Sequence, residues 1–265
     1  MTPADAALVA ASGLLAGMVN AVAGGGTLIT FPTLLAVGLA PIPATITSAV
    51  GLLPGYLGGS IAYRRELVGQ GARARALVTV SVLGGVAGAV LLLVTPGKAF
   101  TAVVPYLVLL SCALLAVQPM LTRAVARARK PDADADAVQT RAGAGQSGVT
   151  WPARAGVGIG AIYGSYFGAG LGVLLLAVLG SLIHDDLQRL NALKGVLSLV
   201  INLTGVVIFL FSGEVVWLVA GLLAVSAYLG GTVGVSLARR LSAPVMRAGV
   251  VTFGTAVGIY LLVTG

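Results

Sequence analysis

Charge is scarce in this chain, and negative charge is scarcest. Of 265 residues 9% are charged, with eight Asp or Glu against sixteen Lys or Arg. Soluble domains carry about 25% charged residues. With 58% hydrophobic residues, that shortage excludes a soluble globular domain. The acids are Asp5, Glu66, Asp132, Asp134, Asp136, Asp185, Asp186 and Glu214, and each falls at an end of an apolar segment or between segments. No carboxylate is then expected in mid-membrane to relay protons or hold a cation. This argues against a cation transporter and against an intramembrane acid–base enzyme. A single cysteine, Cys112, excludes an intrachain disulfide framework or thiolate metal site. A single histidine, His184, excludes a histidine cluster and gives no membrane serine a triad partner. His184-Asp185-Asp186 is too small a set for a metal and reads as a solvated connection. No metal, no cofactor and no catalysis are expected. Met1 to Asp5 lacks a basic leader, so Ala6 onward is read as a mature span.

Apolar runs and glycine are what the chain has in quantity, with 38 glycines. Apolar segments run at 5–23, 27–39, 43–63, 77–95, 101–121, 153–167, 170–183, 192–211, 215–237 and 244–263. About 20 residues cross the hydrocarbon core. The segments 27–39, 153–167 and 170–183 fall short of that and read as half-helices or re-entrant arms. The fold class is therefore all-α, a polytopic transmembrane helical bundle of about eight to ten segments. The lipid bilayer is its first partner.

The basic residues set the expected orientation. Arg64, Arg65, Arg73 and Arg75 lie in one connection, Arg123, Arg127, Arg129, Lys130, Arg141 and Arg154 in a second, Arg189 and Lys194 in a third, and Arg239, Arg240 and Arg247 in a fourth. Counting crossings places all four on one side, with Lys98 alone opposite. The positive-inside rule makes that side cytoplasmic and both termini external, in a cell inner (plasma) membrane. The net charge of +8 reports topology on this reading, and no nucleic-acid partner is expected.

The chain also reads as two repeats. Residues 13–63 match roughly 157–210 in order: glycine break, short apolar arm, polar start, long helix with small residues. Five segments per half would set the repeats in opposite orientation, as in inverted-repeat transporters. The expected domains are a first repeat over 1–122, a flexible cytoplasmic linker over 123–152 and a second repeat over 153–265. Pro131 to Asp136 and the Gly/Gln/Ser/Thr run behind it give the linker its composition.

Each repeat opens with a helix broken by glycine. The first break is Gly17 to Thr27, with Gly24, Gly25 and Gly26 in a row; the second is Tyr163 to Gly172, with Gly168 and Gly170. Glycine costs about 1 kcal/mol against alanine inside a helix. Paired breaks in corresponding places are the best sequence pointer to a transporter site. Asn20, Tyr163, Ser165 and Tyr166 flank them. Thr27 and Thr30 follow the first break at a half-helix N-terminus, which favours anions. Thr45, Thr47 and Ser48 start the third segment as helix caps or anion contacts. In the eighth segment Asn191, Lys194, Ser198, Asn202 and Gly205 recur every three or four residues and form one stripe. Asn202 lies about 12 Å deeper than Lys194. Lys194 is either a cation on the substrate path or an interfacial anchor, and Asn202 either a path residue or a bond between helices. The runs Ser226-Gly230-Gly234 and Ser81-Gly84-Gly85-Gly88 fit close helix contacts, inside one protomer or in a homodimer.

Gly24-Gly25-Gly26 with Pro32, Ala44 to Ser48, Tyr163 to Gly172, Ala192-Leu193-Lys194 and Asn202 together resemble the sulfite exporter TauE/SafE family of membrane permeases. The resemblance spans both repeats. It implies transport of sulfur-containing anions such as sulfite or sulfonates, or of related small organic anions. Two departures stand out. Many members carry Thr-Asn-Lys where this chain has Thr47-Ser48-Ala49, and Gly168-Ala169-Gly170 replaces a full triple glycine. The first repeat thus lacks a lysine to match Lys194. The function expected is secondary transport of a small anion by alternating access, with export the favoured direction. The expected substrate-binding residues are Asn20, Gly24, Gly25, Gly26, Thr27, Thr47, Ser48, Ser165, Gly168, Gly170, Lys194 and Asn202. A passive anion channel and a non-transporting accessory subunit are the alternatives.

Overall fold

Among the described residues, ten helices account for almost every apolar segment. A computed structural model describes residues 1–22, 24–62, 66–127, 149–183, 185–238 and 243–264. The first half holds α1 (Pro3–Val22), α2 (Thr27–Ala36), α3 (Pro41–Ala62), α4 (Gly71–Val94) and α5 (Gly97–Arg127). The second holds α6 (Trp151–Tyr166), α7 (Leu171–Leu182), α8 (Leu187–Phe209), α9 (Trp217–Ala238) and α10 (Ala243–Thr264). The described residues contain no strand, as a backbone in hydrocarbon requires of anything but a closed barrel. The stretch 128–148, most of the expected linker, lies outside the described residues.

Among the described residues, four stretches are long and apolar enough to cross a membrane: Pro3–Asn20, Gly71–Val94, Gly97–Arg123 and Leu187–Phe209. Helices α3, α9 and α10 are 22 residues each, about 33 Å at 1.5 Å per residue. Helices α2 and α7 have 10 and 12 residues, about 15 and 18 Å. They are the short arms expected after the breaks. The outer faces are apolar: Leu83 and Val90 on α4, Tyr106 and Met120 on α5, and Leu218 and Val225 on α9 are all exposed. Aromatic residues mark both ends of the bundle, with Trp151 at the start of α6, Phe211 between α8 and α9, and Trp217 at the start of α9. That is the placement of interfacial belts.

Packing follows one pattern in both halves. Helix α1 lies against α9 and α4 against α6; α3 lies against α9 and α8 against α4. The pairs α5–α10 and α3–α8 close the set. Adding five to each helix number, and counting on from α1 after α10, turns every one of these pairs into another or into itself. Small residues make the closest pairs. A β-carbon on Gly17 would lie 2.2 Å from the Ala227 carbonyl oxygen, and one on Gly230 would lie 2.1 Å from that of Leu14. In the partner pair, a β-carbon on Gly88 would lie 2.1 Å from the Ile162 carbonyl oxygen, and one on Gly84 would lie 2.6 Å from that of Gly158. The small-residue stripes through Ser226-Gly230 and Gly84-Gly88 are therefore used inside the protomer. Without a hydrophobic drive between helices in lipid, such backbone approach is what holds a bundle together.

Candidate functional site

The two breaks meet. At the first, α1 ends at Val22 and α2 begins at Thr27, with Gly24 at φ +77°. Only a residue without a β-carbon takes that turn without strain. Asn20 fastens the two helix ends: its Oδ1 accepts the Gly26 N–H at 2.8 Å. Gly26 packs so tightly here that a β-carbon on it would lie 2.6 Å from the Ala16 carbonyl oxygen and 2.9 Å from Asn20 Cγ. At the second break, Gly168 and Gly170 take φ +81° and +76°. Helix α5 clamps that turn. The Tyr163 hydroxyl donates to the Ala169 carbonyl at 2.6 Å, Ser111 Oγ reaches the same carbonyl at 3.0 Å, and the two hydroxyls lie 2.7 Å apart.

A β-carbon on Gly172, in the first turn of α7, would lie 3.6 Å from Gly24 Cα and 3.8 Å from Lys194 Cδ. Three positive elements thus converge. Helix N-termini are partially positive, and in the first turns of α2 and α7 the Leu28, Ile29, Leu171 and Val173 N–H groups bond the Gly25, Gly26, Gly168 and Gly170 carbonyls. Lys194 adds a full charge, and its Nζ bonds Asn191 Oδ1 at 3.3 Å. Among the described residues no carboxylate pairs with it. Phe31 of α2 stacks edge-on against Phe167 of the second break, with ring centroids 5.3 Å apart, so apolar contact also joins the two turns.

Below the breaks lies a second group of donors. The Tyr56 hydroxyl, on α3, sits among the side chains of Asn20, Thr27 and Asn202. Asn202 is 6% exposed and donates from Nδ2 to the Ser198 carbonyl at 2.9 Å. Ser198, one turn from both Lys194 and Asn202, is 4% exposed. Among the described residues, its Oγ and Asn20 Nδ2 are buried without a hydrogen bond of good geometry, although the Tyr56 hydroxyl lies beside Asn20. Such orphaned polar atoms cost about 1–3 kcal/mol each and call for a ligand or water. Tyr56 escaped notice in the sequence because it follows Pro54-Gly55 and belongs to no polar stripe.

The structure therefore gathers Asn20, Gly24, Gly26, Thr27, Lys194 and Asn202. It leaves the other expected residues with separate tasks. Thr47 Oγ1 accepts the Val216 N–H at 3.1 Å, just before α9. Ser48 Oγ lies 2.5 Å from Thr30 Oγ1 and ties α3 to α2. Ser165 Oγ donates to the Ile201 carbonyl at 3.1 Å. A β-carbon on Gly25 would lie 3.1 Å from Leu115 Cδ1, so Gly25 packs on α5. Gly168 and Gly170 shape the second turn. Hydroxyls in apolar helices take nearby backbone acceptors when no better partner exists.

A model of the sulfite exporter TauE/SafE family matches residues 9–261. The chain is 24% identical over 221 residues to "Probable membrane transporter protein YfcA" of Escherichia coli (strain K12), covering 83% of this chain and 76% of that one. It is 25% identical over 251 residues to "Probable membrane transporter protein ORF9" of Sinorhizobium sp, covering 94% and 88%. A "Probable membrane transporter protein" of Haemophilus influenzae is 24% identical over 225 residues, covering 85% and 82%. No solved structure matches the chain.

Proposed function

We propose that this chain, which belongs to the sulfite exporter TauE/SafE family, is a secondary carrier that exports a small sulfur oxyanion or sulfonate by alternating access. The coarser reading, a multi-pass membrane transporter, follows from the family and from its apolar helices. The observation that carries the finer one is the meeting of Gly24 and Gly172 beside Lys194. Two helix N-termini and an ammonium repel one another in a medium of low dielectric. A bound anion relieves that repulsion. Asn20 Nδ2, Ser198 Oγ and the Tyr56 hydroxyl add neutral donors on the same path. We read the halves as inverted repeats, which the shared packing pattern supports, and the basic connections as cytoplasmic. An inside-negative potential then favours anion exit by roughly 2.3 kcal/mol per charge per 100 mV. Export needs no proton-carrying carboxylate.

Purified protein in liposomes is expected to pass sulfite or a sulfonate saturably, with counterflow stimulated by unlabelled substrate. Flux no greater than in empty vesicles, across several such anions, sinks the reading; large single-channel currents replace the carrier by a channel. Within this reading, Tyr56→Phe removes one neutral donor and leaves the apolar ring. Its KM is expected to rise about five- to tenfold, as one net hydrogen bond of about 1 kcal/mol implies, while the melting temperature stays put. An unchanged KM removes Tyr56 from the path.

A further inference from the structure

The two ends of the bundle are unlike. At the end where α3 leads into α4 and α7 into α8, Asp185 is held between two arginines. Its Oδ2 pairs with the Arg73 guanidinium of α4, and its Oδ1 accepts from Arg189 Nε of α8 at 2.8 Å. Arg189 Nη1 also donates to the Val68 carbonyl at 3.1 Å. Gln70, 1% exposed, donates from Nε2 to the Arg189 carbonyl at 3.0 Å. Arg73, Val68 and Gln70 belong to the first half, and Asp185 and Arg189 to the second. The halves are clasped here.

At the other end lies a cavity of about 1010 Å³, lined by residues that include Ala40 to Pro43, Lys98, Ser212 and Glu214. Helices α4 and α8 join the two places. Helix α4 runs from Arg73 to Leu93 on the cavity wall, about twenty residues or 30 Å. Helix α8 runs from Arg189 to the turn before Ser212. The same shift of five that relates the helix pairs carries the α3–α4 connection onto α8–α9, and the α7–α8 connection onto α2–α3. Clasp and cavity thus occupy corresponding positions. The clasp is shut by ion pairs, whereas the corresponding segments line an open cavity and are tied deeper in by the Val216 N–H on Thr47 Oγ1 at 3.1 Å.

We infer that the Arg73–Asp185–Arg189 clasp is the closed gate of this conformer at its basic end, and that it breaks when the corresponding segments at the cavity end come together. The inference rests on the carrier reading above for its purpose and on the unlike ends for its geometry. The side chains are partly exposed, at 30% for Arg73, 34% for Arg189 and 14% for Asp185. Such pairs are individually weak, so they close a gate without locking it.

The test reads accessibility rather than transport. In a Cys112→Ser background, Ala192→Cys places a reporter thiol on α8 where the native residue is 1% exposed, less than one turn past Arg189. It is labelled in membrane vesicles with an impermeant maleimide added on the basic-loop face. Asp185→Asn is expected to speed labelling about fivefold, as loss of a weak ion-pair network shifts a two-state population. Arg73→Gln has the same sign and a smaller effect, since Arg189 keeps its carboxylate. The exchange Arg73→Asp with Asp185→Arg restores one ion pair between α4 and the α7–α8 connection, and labelling is expected to slow again below the Asp185→Asn rate. The gate is overturned if both single variants label at the parent rate, or if the exchange labels as fast as Asp185→Asn. Labelling needs no substrate. Faster labelling without anion flux leaves the gate and removes the transport reading; flux with unchanged labelling does the reverse.

Discussion

Lys194→Ala is expected to raise the half-saturating anion concentration about 10- to 100-fold in liposomes, with the protein still folded. Lys194 is partly buried on α8, with its stem against Gly172 and its Nζ on an amide oxygen, Asn191 Oδ1, at 3.3 Å. An amide dipole is a poor counter-charge for an ammonium withdrawn from water. Charge-assisted hydrogen bonds contribute about 1.5–3 kcal/mol, which is roughly 10- to 150-fold in affinity. Lys194→Ala also removes an uncompensated buried cation, so the empty protein is expected to melt no lower than its parent. That pairing of effects separates binding from anchoring. An anchor that snorkels to the interface stabilises the helix end and leaves saturation untouched. Unchanged kinetics with a lower melting temperature would return Lys194 to that role. Lys194→Arg keeps the charge on a longer, planar head, and is expected to recover part of the affinity and none of the fit.

Most of the helical plan was legible in the amino-acid pattern. The ten apolar segments and the ten helices of the described residues agree because hydrocarbon leaves the backbone no alternative to helix, and hydropathy alone reports that constraint. The breaks were legible for the same reason, since Gly24-Gly25-Gly26 and Gly168-Ala169-Gly170 interrupt runs that would otherwise continue. What side chains do at those breaks was only half legible. Thr47, Ser48 and Ser165 look like binding hydroxyls in the sequence, but each satisfies a neighbour: the Val216 N–H, the Thr30 hydroxyl and the Ile201 carbonyl. Sequence spacing shows which residues share a helix face and says nothing about which helix that face meets. Tyr56 was missed on that account, because its partners come from α1, α2 and α8. Asp185 read as part of a solvated connection, yet Arg73, 112 residues away, comes to hold it. Long-range ion pairs leave no local periodicity to find.

The glycines of the first break are expected to respond very unequally to alanine, although they stand in a row. Gly26→Ala should abolish measurable flux. Gly26 sits at φ −58°, so alanine meets no backbone strain there; the obstacle is space. Its β-carbon would lie 2.6 Å from the Ala16 carbonyl oxygen, a backbone atom of α1 that cannot step aside, and 2.9 Å from Asn20 Cγ and Nδ2. Relief requires α2 to move away from α1, which breaks the Asn20–Gly26 bond and swings Asn20 out of the cluster with Tyr56 and Thr27. Overpacking of this kind costs about 1–3 kcal/mol in stability, and displacing a positioned group by about 1 Å can cost a factor of 100 in rate. Gly25→Ala meets only the flexible end of Leu115 at 3.1 Å, and flux within about threefold of the parent is expected, corresponding to some tenths of a kcal/mol. Gly24→Ala lies between them. Its β-carbon would find Gly172 Cα at an ordinary 3.4 Å, but φ +77° places it in left-handed backbone, which costs roughly 1–2 kcal/mol. Flux and thermal melting of the three variants check the order Gly25, Gly24, Gly26 from mild to severe. Equal loss at all three would mean that the run acts only by breaking the helix, since any β-carbon would then serve equally badly. The expected order requires instead that the turn hold Asn20 against α2 and bring Gly24 onto Gly172, so that both half-helices present their N-termini to one anion.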